Sequence, residues 1–278
     1  MKKAIRFFGC IASLVFLFSC NNNSSSATTD EQKADTAKSI KEQAVRYKSD
    51  TTTLNGFISY NAASNDIRPA VLVVPEWWGI NDYVRNRAKQ LADMGYVAMA
   101  VDMYGNGKNA AKPQEAQAMA MPFYTNPQLM KTRLDAALQE LKRLPQVDTS
   151  KIAAIGYCFG GSVVLNAAKL GADLKGVVSF HGSLEGVAPN KDLLKAKVLV
   201  CHGEADSSVP KEQLEKFKKQ MDSVGASYSV KTYPNATHAF TNPASTETGK
   251  KFNMPISYNE KADKDSWEDM KSFFKSIF

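Results

Sequence analysis

Short, mostly apolar runs alternate with stretches of helical periodicity along this chain, and that alternation constrains the fold more than any other feature. The runs lie at residues 70–74, 96–101, 151–155, 174–180, 198–201 and 228–233. Helical patterns lie at residues 81–94, 113–144, 161–170, 211–224 and 260–277, with Pro122 and Pro127 as breaks in the second. Strands alternating with helices form βαβ units. We therefore expect an α/β fold with a mostly parallel central sheet and helices on both faces.

The chain of 278 residues divides into three segments by composition. Residues 1–19 are expected to be a signal peptide, residues 20–44 a flexible tether, and residues 45–278 the folded domain. That last length suits one large α/β domain or two small ones. Residues 45–60 alternate enough to predict a hairpin, with Asn55-Gly56 as its turn.

The N-terminus has the pattern of a secretory signal. Lys2, Lys3 and Arg6 precede an apolar stretch at 7–18, which is shorter than the ~20 residues that a membrane-spanning helix needs. The sequence LFSC ending at Cys20 resembles a lipobox, which implies cleavage before Cys20 and a diacylglycerol on its thiol. An ordinary secretory signal with a chance Cys is the alternative. We expect export and lipid anchoring to a bacterial membrane, at the periplasmic face or the cell surface.

The charge of the chain indicates no nucleic-acid partner. The formal net charge is +7, and three of these positive charges lie in residues 1–20, which leaves a mild +4. No run of Lys and Arg is interleaved with aromatic residues, as a nucleic-acid surface would require.

One local motif predicts a nucleophile. An apolar strand pattern runs into Gly156-Tyr-Cys158-Phe-Gly160-Gly161, and a helical pattern follows. This is the arrangement of a nucleophile elbow with Cys in place of Ser. Residues two before and two after the nucleophile must be small, because side chains there would collide across the turn. A Gly-rich loop with a structural Cys is the alternative.

A base and an orienting acid follow in the chain order of α/β-hydrolases. Asp206 follows the apolar run 198–201, and His238 follows the run 228–233. The carboxyl ends of parallel strands share one edge of the sheet, so Cys158, Asp206 and His238 are expected to meet there as a catalytic triad. Glu204 is the alternative acid.

The two other histidines receive more modest predictions. His202 is expected to be structural, and His181 either lines the substrate pocket or is structural. Neither they nor Cys201 have the spacing of a zinc site, so we expect no metal and no cofactor. Cys158 and Cys201 should lie two strands apart, about 9.6 Å by sheet spacing. A disulfide needs Cα atoms within about 7 Å, so both thiols are expected to be free.

These motifs resemble the dienelactone hydrolase (carboxymethylenebutenolidase) family, over roughly residues 45–278. The resemblance rests on GYCFGG, on HGEADSSVP, on THAF and on VPEWWG at 74–79. It implies that Glu76 helps to control when the Cys158 thiolate forms. It also implies an oxyanion hole from the backbone N–H groups of Trp77 and Phe159.

The chain departs from the family where substrate carboxylates are bound. Two arginines of the family correspond to Asn106 and Asn242 here, so a carboxylate would lose its bidentate partners. Trp77, Trp78 and Tyr104 indicate an apolar, partly aromatic substrate pocket. Asn106, His181 and Asn242 are further candidate residues of that pocket.

Together the motifs predict a hydrolase of small esters or lactones. A Cys-His-Asp triad would act through an acyl-enzyme, with a small-molecule ester or lactone as substrate and the membrane contacted only through the N-terminal lipid. The alternative is a non-catalytic binding or accessory lipoprotein that retains the hydrolase fold. The motifs leave the oligomeric state open.

Overall fold

A computed structural model describes residues 39–278, which contain an eight-stranded sheet flanked by seven helices. The strands are β1 Ile40–Ser49, β2 Thr52–Asn61, β3 Arg68–Val74, β4 Val97–Ala100, β5 Val147–Tyr157, β6 Gly176–Phe180, β7 Lys197–Gly203 and β8 Tyr228–Tyr233. The helices are α1 Asp82–Asp93, α2 Pro113–Thr125, α3 Pro127–Lys142, α4 Phe159–Lys169, α5 Lys211–Ser223, α6 Ser245–Phe252 and α7 Glu260–Ile277.

The sheet has the order β1-β2-β4-β3-β5-β6-β7-β8. Strands β3 to β8 pair in parallel, and β2 runs antiparallel to both of its neighbours. The expected α/β-hydrolase fold with a mostly parallel sheet is thereby confirmed.

The core consists of two apolar layers, one on each face of the sheet. Alternate residues of β3 enter different layers, since Leu72 packs on one face and Val71 on the other. The first layer includes Leu134 of α3 and Val163 of α4, and the second includes Phe274 of α7. Burial on both faces explains why the strands are continuous apolar runs rather than alternating ones.

The N-terminal hairpin differs from the prediction in two ways. Strand β1 begins at Ile40, inside the segment 20–44 predicted as tether. The chain turns at Asp50-Thr51, not at Asn55-Gly56, and Asp50 has a φ of 50°. Gly56 instead lies in β2, where an added Cβ would come within 2.7 Å of the Ala100 carbonyl oxygen. The absence of a side chain at Gly56 therefore allows β2 and β4 to approach closely, and Gly56 does not form a turn.

The proline positions also refine the predicted helices. Pro127 begins α3, whereas Pro122 lies inside α2 and does not end it. Cys158 and Cys201 are free thiols, and β6 separates their strands. Within residues 39–278, no helix has the length and apolarity needed to cross a bilayer.

Candidate active site

Cys158 sits at a sharp turn between β5 and α4. Its backbone has φ 53° and ψ −113°, in the region that favours glycine. A Cβ on Gly156 would lie 2.0 Å from the Gly160 carbonyl oxygen, and one on Gly160 would lie 2.3 Å from the Val74 carbonyl oxygen. The two glycines therefore permit the turn for the steric reason that the motif suggests.

The carboxyl ends of β5, β7 and β8 bring three predicted residues together. Asp206 follows β7 and His238 follows β8, and His238 Nδ1 lies 2.8 Å from Asp206 Oδ2. The backbone N–H of Ser208 donates to Asp206 Oδ1 at 2.8 Å, which fixes the carboxylate. Glu204, the alternative acid, is exposed and accepts a hydrogen bond from Thr232 instead.

His238 interacts with the Cys158 sulfur on its other side. Burial alone would lower the pKa of His238, but the Cys158 thiolate and the hydrogen bonds with Asp206 and Cys158 raise it well above its usual value. These interactions favour the protonated form of the His238 ring, which lies between the Cys158 sulfur and the Asp206 carboxylate. This is the charge state that a cysteine nucleophile requires.

Glu76 follows β3 and is buried beside the same site. Asn242 Nδ2 donates a hydrogen bond to Glu76 Oε2 at 2.8 Å, while Asn242 Oδ1 accepts one from the Ala244 N–H at 3.0 Å. The second bond fixes which end of the amide faces Glu76. Burial raises the pKa of Glu76 to about 7, against the Asn242 hydrogen bond and the charges of His238 and Arg87.

Trp77 and Phe159 occupy adjacent segments. The start of α4 packs directly against the residues before Trp77, since a Cβ on Gly160 would also lie 2.6 Å from the Pro75 carbonyl oxygen. The Tyr104 hydroxyl donates to the Trp77 carbonyl at 2.9 Å and so holds that loop.

A cavity of about 510 Å³ opens at this edge of the sheet. Of the predicted site residues it is lined by Glu76, Trp77, Trp78, Cys158, His238 and Asn242. The other lining residues are Gln117, Ala120, Met121, Tyr124, Ser183, Ser208, Val209, Ala239, Ser245, Thr248, Met254, Pro255 and Ile256.

Three residues predicted to line the pocket do not do so. Tyr104 lies behind the wall, stacked on the Phe159 ring at 5.7 Å. Asn106 is exposed, with φ 55° and its N–H bonded to the Thr53 carbonyl. His181 is buried, because its ring packs between the elbow and the loop that follows His238.

His181 forms a hydrogen bond with the backbone of the candidate nucleophile Cys158. Its Nδ1 accepts a hydrogen bond from the Cys158 N–H at 3.1 Å, and its Nε2 lies 2.7 Å from Thr241 Oγ1. Its ring meets the His238 ring edge-on, with centroids 5.3 Å apart. Burial, together with the charges of His238 and Arg87, keeps the pKa of His181 well below its usual value. His181 is therefore a neutral partner of both catalytic candidates.

Sequence reasoning missed the wall formed by the connection between β8 and α7. This segment contains α6. Its two ends lie side by side, because the Asn259 N–H donates a hydrogen bond to the Phe240 carbonyl at 3.0 Å. His238 also forms a bridge with Ile256. A connection of this length in a compact domain is itself a signal of function. Metal ligation has no comparable support, because residues 39–278 contain no group of three or more His, Cys, Asp or Glu side chains placed to hold an ion.

The comparison with protein families agrees with this geometry. The sequence model of the dienelactone hydrolase family matches residues 57–278. The chain belongs to the dienelactone hydrolase family. As a member of that family, it is a hydrolase of ester or lactone substrates.

Individual dienelactone hydrolase relatives agree. A Methylorubrum extorquens protein named "Putative carboxymethylenebutenolidase" is 26% identical over 219 residues, 74% of this chain and 72% of that protein. A Bradyrhizobium protein named "Probable 2-oxo-3-(5-oxofuran-2-ylidene)propanoate lactonase" is 30% identical over 187 residues, 62% of this chain and 73% of that protein. The crystal structure of a dienelactone hydrolase-like promiscuous phosphotriesterase from metagenomic libraries has a TM-score of 0.81 and 32% identity, covering 86% of this chain and 99% of that one.

Proposed function

We propose that this dienelactone hydrolase family member cleaves small esters or lactones through Cys158, His238 and Asp206. The observation that carries the proposal is one contiguous arrangement. Cys158 stands on a strained elbow in a cavity, it interacts with His238, and His238 is bonded to the buried Asp206 carboxylate. A binding site alone would need neither the strained elbow nor the oriented imidazole.

In the proposed first half-reaction, the Cys158 thiolate attacks the ester carbonyl carbon. The N–H groups of Trp77 and Phe159 bind the resulting oxyanion, a contribution of about 3–4 kcal/mol for each such donor. The C–O bond then breaks, the leaving alkoxide takes a proton from the His238 imidazolium, and a thioester on Cys158 remains.

Water completes the cycle. His238, now neutral, accepts a proton from water while the oxygen attacks the thioester carbonyl. The C–S bond breaks and the carboxylic acid leaves, which restores the thiolate and the imidazolium. Asp206 holds the His238 Nδ1–H through both halves.

Glu76 is proposed to control when the thiolate is present. Its carboxyl lines the same cavity as Cys158, and its pKa of about 7 makes its charge variable near neutral pH. A protonated Glu76 leaves the thiolate unopposed, whereas an ionised one disfavours a second negative charge nearby.

The test is mass spectrometry of the full chain mixed with p-nitrophenyl acetate, with nitrophenol release followed in parallel. Turnover and an acetyl adduct on Cys158 are expected, and Cys158→Ala should lose both. Cys201→Ala is the matched control, because that thiol is buried in β7 and should leave both unchanged. A folded chain with a free Cys158 thiol but neither adduct nor turnover would contradict the hydrolase mechanism and favour a binding protein.

The N-terminal sequence supports a second proposal, that the domain is exported and lipid-anchored through Cys20. Residues 1–20 carry the basic, apolar and lipobox-like segments that such processing requires. Cells fed a radiolabelled fatty acid should yield labelled protein from the unaltered chain and none from Cys20→Ala. Equal label in both would overturn the anchor.

A further inference from the structure

No lysine or arginine among residues 39–278 lines the cavity beside Cys158. Among the described residues that line it, the titratable groups are Glu76, Cys158, His238 and Tyr124. A substrate carboxylate would be enclosed beside the Glu76 carboxyl with no positive partner other than the His238 imidazolium, which Asp206 and the thiolate already neutralise. Enclosing an unpaired carboxylate is strongly unfavourable.

One wall of the cavity is apolar. Met121 and Tyr124 of α2 face it, and both remain partly exposed to solvent in spite of their apolar area. Val209 and Ile256 add apolar area to the cavity lining from other segments. These side chains suit the hydrocarbon body of a ligand.

The part of the lining at the start of α6 contains an unsatisfied hydroxyl. Ser245 lines the cavity and is 2% exposed, and its Oγ has no hydrogen-bond partner within residues 39–278. A buried hydroxyl without a partner costs roughly 1–3 kcal/mol. A ligand oxygen that accepts a hydrogen bond from Ser245 would remove that cost.

Two N–H groups at the beginning of α6 are already bonded within the protein. Asn242 already accepts hydrogen bonds from the Ala244 N–H through Oδ1 and from the Ser245 N–H through its carbonyl. Glu247 in the first turn is exposed and paired with Lys250, so its charge is compensated. What this wall offers inside the cavity is the single neutral hydroxyl of Ser245, and an uncharged acceptor fits that donor better than a carboxylate.

We infer that the cavity binds an uncharged ester or lactone that carries a second, neutral oxygen acceptor, and that the Ser245 hydroxyl donates a hydrogen bond to this oxygen. A ketone, an ether and a second ester carbonyl are acceptors of this kind. The inference rests on the proposed hydrolase function and names the substrate class of the same site.

The first experiment compares three p-nitrophenyl esters of similar size on the full chain. They are the hexanoate, the 5-oxohexanoate and the glutarate monoester, which carry an apolar, a ketone and a carboxylate end. After subtraction of spontaneous hydrolysis, kcat/KM for the glutarate monoester should be at least about 100-fold below that for the hexanoate. A ratio within tenfold would overturn the claim that the substrate is uncharged.

The second experiment asks whether Ser245 recognises the ketone. Ser245→Ala should lower kcat/KM for the keto ester by about threefold to tenfold relative to its apolar partner. Two pairs of esters are compared. In the first pair the ketone lies in the acyl group, as in the 5-oxohexanoate against the hexanoate. In the second pair it lies in the alcohol group, as in 4-oxopentyl acetate against pentyl acetate. Ser245→Ala should lower the ratio of kcat/KM between the keto ester and its apolar partner in at least one of the two pairs, because the acceptor can lie on either side of the ester.

Ser183→Ala is the matched control, because Ser183 also lines the cavity but its hydroxyl already bonds within the protein. It should leave both ratios unchanged. Unchanged ratios in Ser245→Ala would overturn the role of Ser245, with the hexanoate rate showing that the variant is folded. Absence of turnover with every ester, in the unaltered chain, would instead refute the proposed function itself.

Discussion

Asn242 and Glu76 form a hydrogen bond of 2.8 Å between two buried side chains. An amide can bond either form of the carboxyl, but it cannot neutralise a carboxylate as an arginine would. The pKa of Glu76 therefore stays raised to about 7, because burial outweighs the amide hydrogen bond. The consequence is a carboxyl that titrates near neutral pH inside the site.

The first prediction concerns stability. Because the folded-state pKa of Glu76 is raised, its favourable contribution is present below about pH 4.5 and is lost as pH rises to about 7. Glu76→Gln removes this loss and keeps an acceptor for Asn242. Relative to the unaltered chain, the variant should gain roughly 3 kcal/mol between pH 4.5 and pH 8, measured by urea unfolding. A difference that does not vary with pH would show that Glu76 is ionised throughout.

The second prediction concerns the reactivity of the thiol. At pH 8 an ionised Glu76 opposes the Cys158 thiolate, so Glu76→Gln should raise the rate of Cys158 alkylation by iodoacetamide about tenfold. At pH 6 Glu76 is mostly protonated, so the two rates should converge. If Glu76→Gln and the unaltered chain were alkylated at equal rates at both pH values, Glu76 would not control formation of the thiolate.

The third prediction concerns Asp206. In Asp206→Asn the His238 ring loses the carboxylate that stabilises its charged form, so its pKa should fall. We expect kcat/KM for p-nitrophenyl acetate to fall by about 10³–10⁴-fold, the scale found when a triad carboxylate becomes an amide. Glu204→Gln is the control and should remain near full activity, because the exposed Glu204 carboxylate accepts a hydrogen bond from Thr232 and none from His238. A large loss of kcat/KM in Glu204→Gln would show that Glu204, and not Asp206, is the acid of the triad.

The fourth prediction concerns His181 as a positioning residue. His181→Ala should lower kcat for p-nitrophenyl acetate about ten- to a hundredfold with little change in KM, because the Cys158 turn loses support. His181→Gln offers both an acceptor and a donor, so it should restore most of kcat. If His181→Ala were less stable to urea yet kept its kcat, the residue would serve only packing.

The fifth prediction concerns the elbow glycines. Gly160→Ala places a Cβ against the fixed backbone at Val74 and should destabilise the fold by at least about 4 kcal/mol, by thermal or urea unfolding. Gly225 has a positive φ but open space around it, so Gly225→Ala should cost only about 1 kcal/mol. Similar costs at both positions would mean that the elbow can relax.

The sequence was sufficient to predict the fold and to bring Cys158, Asp206 and His238 to one sheet edge. The reason is that strand ends and chain order determine these positions. It did not predict which way loop side chains face. Asn106 turns outward at a positive φ, and His181 turns beneath the elbow, and both orientations depend on tertiary contacts.

Helix α6 and the hairpin turn were missed for related reasons. The N-cap of α6 is Ala244, which makes no side-chain cap, so no capping signal marks its start. The helix is held instead by packing, with Gly249 close to the Ile256 carbonyl. In β2, the Asn55-Gly56 pair has the composition of a turn but serves contact with β4.

The hydrogen bond between Asn259 and Phe240 joins the two ends of the segment that forms one wall of the cavity. Recombination between relatives at these two adjoining points would exchange the whole wall as a cassette, including Ser245, without altering Cys158, Asp206 or His238. The same exchange would replace Asn242, the partner of Glu76, so the lining of the cavity and the environment of the Glu76 carboxyl would change together.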